Sequence, residues 1–100
     1  MKAAHTFSHR DVDRRIRRLV EACVLAIEND PKLLDRARTQ VGRYSNARLR
    51  AEWERLIDLP WPQLRAILLE DSDEGDRIRQ SVPFGGFLSD ELRMHIIDTS

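Results

Sequence analysis

Apolar side chains recur along residues 9–29 at steps of three and four positions. They are Val12, Ile16, Leu19, Val20, Cys23, Val24 and Ile27. A repeat of this period places one apolar stripe along an α-helix, with polar residues on the opposite side. The pattern predicts a first helix over these residues, with Ser8 as its N-cap. Residues 1–8 are then expected to form a flexible N-terminal arm.

Shorter helical patterns follow, separated by residues that begin or end helices. Asp30 suits the N-cap of a second helix and Pro31 suits its first position, while Gly42 lies near its end. Ser45 is expected to cap a third helix, and Pro60-Trp61-Pro62 forces a corner before a fourth. The apolar positions of these helices are Leu33, Leu34, Ala37, Val41, Leu49, Trp53, Leu56, Ile57, Leu64, Ile67 and Leu68.

Two short helices are expected in the last third of the chain. Asp71 and Glu74 have the spacing of a capping box at the start of the fifth, and Ser89 can cap the sixth. Their inward positions are expected to be Ile78, Leu92, Ile96 and Ile97. No stretch alternates with a period of two, so no sheet is expected. The sequence predicts an all-α fold, a compact bundle of five to six helices in which residues 9–100 form a single domain.

The chain carries no net charge, but its charges are unevenly distributed. Residues 1–56 hold 13 basic and 8 acidic side chains, whereas residues 57–100 hold 4 basic and 9 acidic ones. Such a chain can present a basic surface and an acidic surface to different partners. A single cysteine, Cys23, excludes an internal disulfide and favours a cytoplasmic location. No apolar run is long enough for a membrane span.

The sequence gives little support for catalysis or for a cofactor. His5, His9 and Asp13 share one helical face, as metal ligands can, but a solvated N-terminus explains them better. The acidic run from residue 70 departs from the calcium-loop pattern, because Asp76 and Val82 occupy the positions that need Gly and Glu. No cluster combines a nucleophile, a base and an orienting acid. We therefore expect neither an enzyme, nor a metal site, nor a cofactor.

Basic residues support one hypothesis about function, which is nucleic-acid binding. The residues that would carry it are Arg14, Arg15, Arg17, Arg18, Arg43, Arg48 and Arg50. Arginine forms bidentate contacts with phosphate, although a charged solvent face is the ordinary reason for such a helix. The turn at Gly42 departs from the helix-turn-helix pattern, since Arg38 and Arg48 stand where a small and an apolar residue are usual.

The tail of the chain resembles a group of known proteins. The resemblance rests on residues 52–56, 64–69, 71–75 and 79–89, of which Gln80-Ser81-Val82-Pro83-Phe84-Gly85-Gly86-Phe87-Leu88-Ser89 is the most specific part. Residues 52–97 are similar to the tails of small bacterial helical proteins associated with toxin–antitoxin loci. The resemblance implies a bacterial, cytoplasmic protein that neutralises a partner by contact, and it carries over no catalytic residues.

These observations favour a protein–protein interaction module, namely an antitoxin-like protein that neutralises a partner protein by direct binding. The partner is expected to be basic, and a basic toxin is the specific candidate. The residues expected to bind the partner are Asp71, Asp73, Glu74, Asp76, Phe84, Phe87 and Leu88. The acids would provide electrostatic complementarity, and the loop would provide apolar anchors. The alternative is a nucleic-acid-binding regulator, and a third possibility is a homodimer formed through the first helix.

Overall fold

Six α-helices make up most of the chain in a computed structural model, which describes the backbone of residues 9–100 and the side chains of residues 11–100. They are α1 (His9–Asn29), α2 (Leu33–Val41), α3 (Ala47–Ile57), α4 (Trp61–Leu68), α5 (Asp73–Arg79) and α6 (Asp90–Asp98). No strand occurs among these residues, so the predicted all-α fold is confirmed. The predicted arm, Ser8 and the side chains of His5 and His9 lie outside the described residues.

Three helices begin at a side chain that accepts a backbone hydrogen bond. Asn46 Oδ1 accepts from the N–H of Leu49 at 3.0 Å, and Ser72 Oγ accepts from the N–H of Gly75 at 3.0 Å. The caps predicted for α3 and α5 were therefore wrong by one residue. The backbone of Asn46 and of Ser72 is extended, which a cap requires, and the neighbouring candidates have the same chemistry. The predicted cap Ser89 is confirmed for α6.

The prediction that Asp30 is the N-cap of α2 and Pro31 its first residue was wrong by two residues, because the N-cap is Lys32. The carboxylate of Asp30 accepts from the N–H of Lys32 at 3.2 Å, and its carbonyl accepts from the N–H of Leu33 at 3.0 Å. These bonds form a tight turn, and α2 proper begins only at Leu33. The residue thus organises the entry to α2 without being its N-cap.

The core lies between α1 and the five shorter helices. The predicted stripe of α1 is buried at Val20, Cys23, Val24 and Ile27, and Trp53 of α3 is completely buried. The other members of the core are Ala37, Val41, Ile57, Leu64, Leu68, Ile78, Phe84 and Phe87. Two predicted inward positions, Val12 and Leu92, are instead exposed, because each lies near the end of its helix where the packing neighbour stops.

Candidate functional site

The loop between α5 and α6 closes one side of the core. The rings of Phe84 and Phe87 stack with their centroids 5.1 Å apart, and Trp53 meets Phe84 edge-on at 6.3 Å. Phe84 is 5% exposed and Phe87 is 9% exposed. Two of the three loop residues expected to anchor a partner therefore belong to the core. Leu88 is half-buried, so part of its side chain remains open to contact.

Polar side chains of α2, of α3 and of the turn between them hold this loop in place. Gln40 Oε1 accepts from the N–H of Gly85 at 3.0 Å, and Gln40 Nε2 donates to the carbonyl of Gly85 at 2.8 Å. Tyr44 donates its hydroxyl to the carbonyl of Ser81 at 2.5 Å, and Trp53 Nε1 donates to Ser81 Oγ at 3.0 Å. The loop is therefore fixed at two points. These contacts explain part of the sequence of residues 80–89, which is the most specific segment of the resemblance to proteins of toxin–antitoxin loci.

An apolar cleft of about 460 Å³ lies between α1 and the α5–α6 loop. One wall consists of Ile16, Leu19, Val20 and Cys23 from α1, and the other includes Val82, Phe84 and Leu88. Gln80, Asp90 and Arg93 also line it and supply its polar groups. A volume of roughly 300 to 1,000 Å³ with mostly apolar walls and a few polar groups is typical of ligand sites. We refer to this feature as the α1 cleft.

Periodicity could not reveal the α1 cleft. Leu19 and Val20 are adjacent members of one apolar stripe, yet Val20 is 2% exposed and lies in the core. Leu19 is half-buried and is not among the side chains packed against the core. Only the position of the loop distinguishes the two residues. The loop contacts of Gln40 were missed for the same reason.

Arg79 lies beneath the cleft and has a structural task. It is 1% exposed, and Nη1 donates to the carbonyls of Leu68 and Glu70 at 3.0 and 2.8 Å. Nη2 forms an ion pair with Asp76. These bonds satisfy carbonyls at the end of α4 that have no partner within that helix. Asp76, one of the acids expected to bind a partner, is thus used inside the molecule.

Cys23 lies in the wall of the cleft but is a poor nucleophile. The residue is 6% exposed, and burial raises the pKa of its thiol to about 11. The reactive form of cysteine is the thiolate, which burial in apolar surroundings disfavours. At neutral pH the thiol is therefore protonated.

The acidic residues around the start of α5 have different surroundings. Glu74 accepts from Arg77 at 2.7 Å, and this hydrogen bond lowers the pKa of its carboxyl group. Asp71 is fully exposed and lies 3.8 Å from Arg17. Asp73 is exposed, and its side chain forms no hydrogen bond or ion pair with the other described residues. Asp71 and Asp73 are therefore the acids most available to a partner.

Arg77 joins two helices through carboxylates on either side of it. It donates to Glu52 of α3 at 2.6 and 3.1 Å and to Glu74 of its own helix. The hydrogen bond from Arg77 is the main reason that the pKa of Glu52 is lowered. Arg77 therefore links α3 to α5 through these carboxylates.

The arginines of α1 are largely occupied by contacts within the molecule. Arg17 donates to the carbonyl of Leu69 at 3.0 Å. Arg18 donates to Thr99 Oγ1 at 3.0 Å and to Ser100 Oγ at 2.8 Å. Of the other two predicted residues, Arg14 is 3.6 Å from Asp11, and Arg15 is half-buried. The α1 arginines therefore do not form one open basic face.

The turn between α2 and α3 carries the remaining arginines of the nucleic-acid hypothesis. Arg43 and Arg48 are exposed, and neither side chain has a hydrogen bond or ion pair within the described chain. Arg50 donates to the carbonyl of Tyr44 at 3.0 Å, which closes the turn. The structure thus separates the seven predicted arginines into two groups, one on α1 and one at this turn.

The described residues define a six-helix protein with an apolar cleft and, elsewhere, a basic turn. Comparison with known proteins gave no match to a family model, to a curated protein or to a solved structure. Among the side chains of residues 11–100, no group of three His, Cys, Asp or Glu could hold a metal ion. None of the helices in this part of the chain combines the length and apolar character that crossing a membrane requires.

Proposed function

We propose that the protein is an interaction module, an antitoxin-like protein that neutralises a partner protein by direct binding in the cytoplasm. The observation that carries the proposal is the α1 cleft, whose walls are mainly apolar and which no described side chain fills. The resemblance of residues 52–97 to proteins of toxin–antitoxin loci supports the same class of function.

The proposed occupant is an apolar segment of a partner, inserted as a helix into a groove. Val12 is 41% exposed and precedes Ile16 by one helical turn on the same face of α1, so the apolar row continues beyond the cleft. Leu19 and Leu88 offer apolar surface inside the cleft. A partner helix with apolar residues at steps of three and four would match this row.

The partner residues that flank this apolar segment are proposed to be basic. Asp71 is exposed beside Arg17 of α1, Asp73 is exposed at the start of α5, and Asp90 lines the cleft together with Arg93. Exposed acids increase the association rate with a basic surface and disfavour acidic competitors. Positive charge is typical of proteins that act on nucleic acid, which would fit a toxin as the partner.

The proposal is tested by affinity purification of the tagged full-length protein from its native host, with a pair of matched variants. Leu19→Arg puts a charge in the cleft, whereas Leu25→Arg puts the same charge on an exposed position of the same helix. We expect the wild type and Leu25→Arg to retain one stoichiometric partner and Leu19→Arg to lose it. Circular dichroism checks that both variants are folded.

Two results would contradict the proposal. One is a wild-type protein that retains no stoichiometric partner. The other is a partner that Leu19→Arg retains as well as Leu25→Arg does. If sedimentation instead shows a homodimer that Leu19→Arg dissociates, the occupant of the α1 cleft is a second copy of this chain.

A further inference from the structure

We propose that the turn between α2 and α3 is a second binding surface, one that holds the sugar–phosphate backbone of a nucleic acid. We call this surface the basic corner. Arg36, Arg43 and Arg48 provide its positive charge, and Arg50 holds the turn in shape. None of its residues lines the α1 cleft, although Arg36 lies beside Gly86 of the loop that forms one wall of that cleft. The inference therefore goes beyond the proposed function, and each of the two can fail without the other.

The first argument is the distribution of charge along the chain. Residues 36–51 contain five arginines and no acidic residue, and among these five only Arg38 has carboxylates within 4.0 Å, those of Asp35 and Asp58. Elsewhere most arginines have a carboxylate within 4.0 Å, as for Arg14, Arg17, Arg65, Arg77, Arg79 and Arg93. No ion pair joins any residue of the basic corner to the rest of the described chain. Its positive charge is therefore available to an anion from outside.

The second argument is that the corner is held in shape before any ligand binds. Arg50 closes the turn through the carbonyl of Tyr44, and Asn46 caps α3. The hydroxyl of Tyr44 is itself bonded to Ser81 at 2.5 Å, which ties the turn to the α5–α6 loop. A fixed backbone reduces the entropy that binding would otherwise cost.

The positions of the arginines suit a phosphate chain. Arg36 lies on α2, and Arg43 lies in the turn two residues beyond the end of that helix. Arg36 is placed over the ring of Phe87, 5.5 Å from its centroid. Arg48 lies in the first turn of α3, where the helix dipole adds partial positive charge. Guanidinium groups bind phosphate oxygens in a planar, bidentate manner.

The nature of the surface favours nucleic acid over an acidic protein. The large apolar side chains exposed in the described chain are Val12, Leu25, Leu92 and Met94, and none of them lies on α2 or α3. A protein interface generally needs apolar or aromatic anchors at its centre. Binding to a phosphate backbone needs mainly positive charge and polar groups. We therefore expect binding that depends little on base sequence.

The test measures fluorescence anisotropy of a labelled 20-base-pair DNA duplex, and of a single-stranded RNA of the same length, with the full-length protein. At about 50 mM salt we expect affinity in the micromolar range, falling linearly on a log–log plot up to about 200 mM. The double variant Arg43→Gln/Arg48→Gln should bind at least tenfold more weakly. Its salt slope should be smaller by about 1.8, which corresponds to two lost phosphate contacts.

A matched double variant, Arg14→Gln/Arg65→Gln, removes the same charge from exposed arginines that already have acidic partners. We expect its affinity to stay within about twofold of the wild type. The inference is overturned if the wild type binds neither nucleic acid at low salt, or if both double variants lose the same affinity. Equal affinity for polyglutamate would also overturn it, and would indicate an acidic protein as the ligand.

Discussion

The surroundings of single arginines decide what each one does. Arg17 and Arg18 lie in a row of charges on α1, yet each donates to backbone or hydroxyl oxygens of a distant segment. Arg43 and Arg48 have no such bond within the described chain. A guanidinium that already has its oxygen partners gains less from binding phosphate. Nucleic-acid binding is therefore proposed at the α2–α3 turn and not at the arginines of α1.

Cys23 links burial to a measurable dependence on pH. Its pKa is raised from 9.0 to about 11, so the folded state keeps the thiol neutral where the unfolded chain ionises it. The raised pKa does not change the free energy of unfolding below about pH 9. That free energy falls as the pH rises from there towards 11. At pH 8 the thiol therefore contributes only through its packing.

We expect the loss of stability at high pH to be absent in the variant Cys23→Ala. The variant is less stable than the wild type at pH 8, because it leaves a small cavity in the core. The difference in free energy of unfolding between the wild type and the variant should be smaller by about 2 kcal/mol at pH 10.5, since the variant has no thiol to ionise. Urea unfolding at the two pH values measures the difference. A constant difference would mean that the pKa of Cys23 is not raised.

At the scale of the element, α5 is short and depends on contacts at both of its ends. Ser72 caps its start, and Arg79 at its end reaches back to the carbonyls of Leu68 and Glu70. Gly75 is buried where α5 crosses the end of α4. A helix of seven residues has little stability of its own, so these tertiary contacts maintain it.

We expect Gly75→Ala to destabilise the protein by about 1–3 kcal/mol. A Cβ at this position would lie 2.2 Å from the carbonyl oxygen of Glu70, which is backbone and cannot move aside without displacing α4. Thermal unfolding followed by circular dichroism measures the loss.

Gly42→Ala is the matched control for that substitution. Its Cβ would meet the nearest atom, the carbonyl oxygen of Thr39, at 3.4 Å, and its φ of −62° suits any residue. We expect this variant to be as stable as the wild type or up to about 1 kcal/mol more stable. Equal stability of the two variants would mean that the Glu70 carbonyl oxygen does not prevent a side chain at position 75.

At the scale of the whole molecule, α1 is the helix around which the others are arranged. It contacts α2, α5 and α6, and its partly exposed row forms one wall of the cleft. Asp71 lies just before α5 and Asp73 is its first residue, whereas the turn that bears the basic corner is bonded to Ser81, just after α5 ends. The two charged regions are therefore connected to opposite ends of α5. One molecule could engage a protein and a nucleic acid together.

The sequence predicted the helices better than it predicted the surfaces. α1 follows from a repeat that runs from Val12 to Ile27, because periodicity reflects local geometry. The caps at Asn46 and Ser72 were missed by one residue, since adjacent residues had equivalent chemistry. The α1 cleft and the hydrogen bonds of Arg18 both involve residues 80–100, which are far from α1 in the sequence. Local patterns carry no information about such contacts.

The claim that the α1 cleft holds a partner is tested most directly by site-specific photo-crosslinking in the native host. A photo-reactive amino acid is placed in the full-length protein at Leu19 or, as the control, at Leu25, and adducts are identified by mass spectrometry. We expect one protein adduct from position 19 and none from position 25. No adduct at position 19, or the same adducts at both positions, would contradict the proposal.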